Sequence, residues 1–122
     1  MKVLVVFLGG GLGSVLRYLF GKFLNDPISG TPYGTLAANI LGSLLIGFIL
    51  GWAAKQEAIS QHTLLLLTTG FCGGFTTFST FVYENHVFLK SGAFGVLALY
   101  TIASFVLAFL AVFLGVWLVR FF

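Results

Sequence analysis

Four apolar stretches, each close to the length that crosses a bilayer, occupy most of this chain. They run over 3–24, 35–54, 63–88 and 93–119. A helix needs about 20 apolar residues to span the hydrocarbon core. The connections between the stretches are too short to build a domain outside it. Charge leads to the same place. Only 7% of the 122 residues are charged and 59% are hydrophobic, whereas a soluble domain carries about 25% charged residues. So few charges cannot solvate so apolar a surface. A soluble globular fold is excluded, and so is a large enzyme with its own cofactor domain. The expected fold is one all-α membrane domain, 1–122, with four transmembrane helices.

Lys2 ahead of an apolar run is how a signal peptide opens. However, no alanine-based small-x-small cleavage site precedes Ala37, and Arg17 interrupts the run, so the first segment is expected to stay. Cys72 stands alone, which excludes an internal disulfide. The six basic residues are scattered, with no cluster to follow a phosphate backbone, so nucleic acid is not an expected partner. His62 and His86 have no partners at metal-ligand spacing, and no catalytic set of Ser, His and Asp exists.

Lysine and arginine near segment ends set membrane orientation. With four spans, Lys2, Lys55 and Arg120 share one side. Lys22 and Lys90 share the other, joined by Arg17 if it snorkels there. A bias of one charge or none gives no firm instruction. Either another factor fixes one orientation, or copies insert both ways and pair antiparallel. Four packed helices leave no room for a wide solvated path, so a transport function calls for at least two copies.

Segment one carries Gly9, Gly13, Arg17 and Gly21 at intervals of four, a face that lets helix backbones approach closely. Gly9 to Ser14 also looks like a dinucleotide loop, but it has Ser14 in place of the last glycine and follows no strand. Arg17 is costly so far inside an apolar segment. It either anchors the helix by reaching the interface or lines a vestibule that gathers anions. Segment two carries Asn39, Ser43, Gly47 and Gly51, again four apart. A primary amide in hydrocarbon must find partners, so Asn39 is either interhelical glue or a donor on a polar path.

Segment three is the unusual one. Gly70, Gly73 and Gly74 fall where the membrane midplane should be, with Thr69 before them and Thr76, Thr77, Ser79 and Thr80 just after. Each glycine disfavours continuous helix by about 1 kcal/mol relative to alanine. A break near 70–76 is expected, freeing backbone groups that are tolerated at this depth only where they are buried or line a site. Phe78 and Phe81 follow at helical spacing. Aromatic ring edges carry positive potential and, with neighbouring hydroxyls, can hold a small anion without a full charge that would trap it. In segment four, Thr101, Ser104, Ala108, Ala111 and Gly115 form a small side, expected to pack inward. Phe105, Phe109, Phe113 and Trp117 form an aromatic side, expected against lipid or a partner helix.

The run Gly70-Phe71-Cys72-Gly73-Gly74-Phe75-Thr76-Thr77-Phe78-Ser79-Thr80-Phe81 closely resembles the signature of the Fluc, or CrcB, fluoride channels. Gly10, Gly11, Leu12, Gly13, Ser14, Arg17 and Tyr18 resemble that family's first segment. Gly34, Thr35, Leu36, Asn39, Gly42 and Ser43 resemble its second. The resemblance covers essentially the whole chain. It implies an antiparallel, dual-topology homodimer in the cell's inner (plasma) membrane, with two fluoride pathways. It implies that Phe78 and Phe81 line the path, that Asn39 contacts it, and that Thr77, Ser79 and Thr80 lie near it. Ser104 matches a serine of the fourth segment, and Glu84 belongs to a polar track beyond the phenylalanines. It implies a structural sodium ion at the dimer centre, held by the backbone carbonyls of Gly73 and Thr76, and an Arg17 facing an aqueous vestibule. Two carbonyls from each of two chains around one two-fold axis give four oxygen ligands. The implied activity is passive export of fluoride, which enters cells from acidic surroundings as HF and is trapped inside as the anion.

Two rivals differ in class. A small dual-topology multidrug exporter also has four short helices, but it relies on a glutamate in the first segment, where this chain has no carboxylate. A structural membrane subunit would leave the glycines and clustered hydroxyls of segment three without a purpose.

Overall fold

A computed structural model describes all 122 residues. The chain is helical throughout, with no strand. Its elements are α1 (Lys2–Leu24), α2 (Tyr33–Lys55), α3 (Gln61–Leu65), a π-helical stretch (Leu66–Cys72), α4 (Gly73–Phe75), α5 (Phe78–Lys90) and α6 (Phe94–Leu118), which ends in a 3-10 turn (Val119–Phe121). Four spans are long and apolar enough to cross a membrane: Lys2–Leu24, Tyr33–Lys55, Gln61–Lys90 and Phe94–Phe121. The protein is therefore a multi-pass membrane protein.

Local chemistry sets the helix ends. Asn25, ahead of Asp26 and Pro27, turns to extended backbone and stops α1. Its side-chain oxygen then accepts from Gly34 N–H at 2.7 Å, tying the loop to the start of α2. Within that loop Asp26 accepts from Ser29 Oγ at 2.6 Å and from Ile28 N–H at 2.9 Å. These donors hold its carboxyl below the usual carboxylate range. Ser60 caps α3 by accepting from Thr63 N–H. Gly92, at φ +76°, makes the turn between α5 and α6 that other residues rarely adopt.

Glycines decide the packing. Helices α2 and α6 cross backbone to backbone: a Cβ on Gly115 would lie 2.7 Å from Phe48 N, and one on Gly47 would lie 3.0 Å from Val112 Cα. Helix α1 rides on the third span in the same way. A Cβ on Gly13 would collide with Phe71 O and Phe75 N, and one on Gly74 with the backbone of Gly10. Close approach of this kind replaces the hydrophobic drive that lipid does not supply. The small side of α6 faces inward, with Ala111 and Gly115 buried, while Phe109 and Phe113 are exposed.

The third span departs from the sequence expectation in one respect. The glycines between 70 and 76 do not themselves leave helical geometry. Leu66–Cys72 widens to i→i+5 bonding, and Gly73 keeps helical dihedrals (φ −62°, ψ −38°). The extended residues are the two threonines, Thr76 (φ −84°, ψ 156°) and Thr77 (φ −151°, ψ 124°). Gly70 and Gly74 are small because α1 lies against them. The backbone leaves the helix where hydroxyl side chains can take over its hydrogen bonds.

The chain leaves much of itself uncovered. Its accessible surface is 7788 Å², against about 6,400 Å² for a compact monomer of this mass. Large apolar side chains lie exposed along every span, and an open groove of about 660 Å³ runs between α2, the third span and α6.

Candidate functional site

The groove is built at the helix interruption. Its walls include Asn39, Ser43, Thr68, Thr69, Cys72, Gly73, Thr76, Thr77, Phe78, Phe81, Ser104 and Phe105. The wall carries no charged side chain, and its polar groups are amides, hydroxyls and backbone.

Asn39 projects from α2 into the interruption. Its Oδ1 accepts from Thr77 N–H at 2.7 Å, and its Nδ2 donates to Thr77 O at 3.1 Å. The amide thus stands in for a missing helical partner on both sides of Thr77, and one of its N–H bonds remains without a partner in the chain. Thr77 also caps α5, its Oγ1 accepting from Thr80 N–H at 3.2 Å. Ser79 Oγ lies 3.4 Å from the same hydroxyl. Thr76 Oγ1 turns back to donate to Cys72 O at 2.9 Å.

The fate of two carbonyls follows. In a continuous α-helix Gly73 O would accept from Thr77 N–H, and Thr76 O from Thr80 N–H. Those amides go instead to Asn39 and to the Thr77 hydroxyl. Gly73 and Thr76, both of which line the groove, are left with carbonyl oxygens that lack these helical partners. That donor chemistry fits an alkali or alkaline-earth cation. No cluster of three His, Cys, Asp or Glu side chains exists for a transition metal.

Phe78 and Phe81 sit on the first turn of α5 with ring centroids 5.8 Å apart. Their surroundings differ sharply. Phe81 is 6% exposed and packs against Tyr100 (5.1 Å) and edge-on to Phe105 (6.0 Å). Phe78 is 68% exposed at the mouth of the groove. Ser104 Oγ, on α6, is buried without a hydrogen-bond partner.

Three of the residues expected on the path lie off the groove wall. Ser79 and Thr80 belong to the cap of α5, and Glu84 stands one turn beyond Phe81. Glu84 instead joins three helices: it accepts from Thr35 Oγ1 at 2.8 Å and from Tyr100 OH at 2.7 Å. Reading the sequence missed the parts that Thr35 and Tyr100 play. The available signals were the four-residue interval from Thr35 to Asn39 and a lone phenol in an apolar span. Arg17 is also off the wall. Its Nε donates to Gly74 O at 3.0 Å.

The site is thus an uncharged polar groove, built at a helix interruption in a four-span membrane protein. Residues 4–116 match the family model described as CrcB-like protein, Camphor Resistance (CrcB). The chain belongs to this family. It is similar to proteins named fluoride-specific ion channel FluC in several bacteria. The one from Gloeothece citriformis (strain PCC 7424) is 46% identical over 121 residues, covering 98% of each chain. That from Phocaeicola vulgatus is 46% identical over 118 residues, covering 96% of this chain and 97% of the relative. That from Bacteroides fragilis is 43% identical over 118 residues, covering 93% and 92%.

Proposed function

We propose that this protein is a fluoride-selective channel that lets fluoride leave the cytoplasm passively, working as an antiparallel dual-topology homodimer in the inner (plasma) membrane. The observation that carries the reading is the groove. It gathers Asn39, Thr77, Phe78, Phe81 and the unpartnered Ser104 hydroxyl on one uncharged wall, in a chain similar over nearly its whole length to proteins named fluoride-specific ion channels.

Fluoride is small and strongly hydrated, so a path must offer donors as water is shed. The free N–H of Asn39 and the hydroxyls of Ser104 and Thr77 supply them, and the ring edges of Phe78 and Phe81 add weak positive potential. None carries a full charge, which keeps the ion from being held too tightly to leave. Ser79, Thr80 and Glu84 act on the path through the cap of α5 and through the Thr35–Glu84–Tyr100 cluster.

The groove is open on one side, and a second copy closes it. Gly73 supports this placement: a Cβ there would meet nothing of its own chain nearer than Thr68 O at 3.8 Å. Its small size therefore serves something outside the chain. On this reading the carbonyls of Gly73 and Thr76 from two copies hold a sodium ion at the dimer centre. The ion would supply a fixed positive charge beside the paths without being transported.

Purified protein in liposomes should release fluoride far faster than chloride when a potassium ionophore relieves the charge. Equal rates for the two anions, or no release of either, would overturn the reading.

A further inference from the structure

The geometry points to Arg17 as the positioning residue of the helix interruption, acting as a cap on the Gly74 carbonyl and not as a charge that gathers anions. The functional part of this inference rests on the fluoride-channel reading above.

The first half of the third span ends at Phe75, and its last carbonyls lose their helical partners there. Gly74 O would accept from Phe78 N–H in a continuous helix, but extended Thr76 and Thr77 carry that amide away. Arg17, 57 residues earlier, replaces it. The Nε–H donates to Gly74 O at 3.0 Å, and Ser14 Oγ stands 3.5 Å from the same oxygen. A cation at a helix C-terminus is favoured by the helix dipole as well as by the bond itself.

The register is fixed by packing on both sides of the contact. One turn before Arg17, Gly13 lies against the backbone of Phe71 and Phe75; Gly10 lies against Gly74. One turn after it, Phe20 meets Phe75 edge-on at 5.1 Å. Arg17 is half-buried between these contacts, and no acidic side chain is within ion-pair distance of it. The interruption is thus held from two directions. Arg17 takes the C-terminal end of the first half, and Asn39 takes Thr77 at the start of the second.

Three substitutions separate a cap from a charge. In Arg17→Gln the amide nitrogen stands as many bonds from Cα as the arginine Nε does, so the donor is kept and the charge is lost. Arg17→Lys keeps the charge but moves the donor one atom further. Arg17→Met removes both. Fluoride flux from liposomes should follow the donor. R17Q should stay within about twofold of wild type, while R17K and R17M should lose about tenfold, the upper end for one hydrogen bond. The loss should fall on maximal flux, with the half-saturating fluoride concentration unchanged. The reverse order, with R17K near wild type and R17Q lost, would overturn the cap. So would a raised half-saturation with intact maximal flux in R17Q. Amide exchange in the 73–81 segment of the purified protein gives a readout that does not depend on fluoride. It should speed up in R17M and stay at the wild-type rate in R17Q; unchanged exchange in R17M would also overturn the cap. If wild type passes no fluoride, the channel reading fails while the exchange series still decides the role of Arg17.

Discussion

Asn39 and Thr77 exchange two hydrogen bonds across 38 residues, with Thr77 N–H donating to Oδ1 at 2.7 Å and Nδ2 donating to Thr77 O at 3.1 Å. A side-chain amide here does what a continuous helix would otherwise do. Asn39→Ala leaves both backbone groups of Thr77 unsatisfied, at about 1–3 kcal/mol for each buried group. The expected outcome is a lower melting temperature in detergent together with a loss of fluoride flux of about tenfold or more. Wild-type behaviour in both assays would remove the clamp from the mechanism.

The two phenylalanines should separate in their effects on folding. Phe81 is packed within its own chain by Tyr100 and Phe105, and Phe78 is not. Phe81→Ile should lower both flux and stability, the latter by about 1–3 kcal/mol through the misfit of shape. Phe78→Ile should lower flux while the melting temperature stays near wild type. Flux measured beside thermal unfolding of each variant decides it, and normal flux in both would exclude an aromatic path.

How much of this was legible in the sequence depends on the distance over which the information acts. The four spans follow from runs of apolar residues, so they were readable, as was the trouble in segment three from its glycines and hydroxyls. The interruption overlaps the range expected for it, 70–76, but its seat on the two threonines and not on the glycines was not readable. It lies at Thr76 and Thr77 because the Asn39 amide and the Thr77 hydroxyl reach amides there, and that depends on how α2 sits against the third span. The same holds for Glu84. Its donors, Thr35 and Tyr100, come from two other helices, and no local pattern announces the meeting. Arg17 was readable as costly, but its partner Gly74 was not, because the contact exists only once Gly13 has set the register of α1.

The glycine contacts give an internal control within one helix. Gly13 meets backbone atoms of Phe71 and Phe75, whereas a Cβ on Gly11 would meet nothing within 4 Å. Gly13→Ala should force α1 away from the interruption and cost at least the 1–3 kcal/mol (about) typical of overpacking. Gly11→Ala should be neutral or stabilise by up to about 1 kcal/mol through helix propensity. Thermal unfolding of the two variants side by side tests this, and equal effects would show that the close approach of α1 is not what requires glycine.

Glu84, Thr35 and Tyr100 should act as one unit. Tyr100→Phe removes one donor and Glu84→Gln replaces one acceptor with a donor. Each should destabilise by about 0.5–3 kcal/mol. Because the two residues share one bond of 2.7 Å, the double variant should cost less than the two together, with a coupling of about 0.5–3 kcal/mol. A cycle measured by thermal unfolding would show simple additivity if the contact contributed nothing.

The charge balance makes the last prediction. Lys2, Lys55 and Arg120 stand on one side of the membrane and Lys22 and Lys90 on the other, while Arg17 is held at Gly74 inside the bundle. With so small a bias, copies should insert both ways. A cysteine added at either terminus, in a chain whose native Cys72 is buried, should be labelled from both sides of the membrane. Two further lysines in the second loop, as Gln56→Lys and Gln61→Lys, should drive the chain into one orientation. Fluoride flux should then collapse, because the antiparallel partner is depleted while each copy remains folded. Flux should return when this variant is co-expressed with a chain biased the other way. Labelling of the unaltered chain from one side alone would refute the dual topology, and full flux from a population of one orientation would refute the antiparallel pairing.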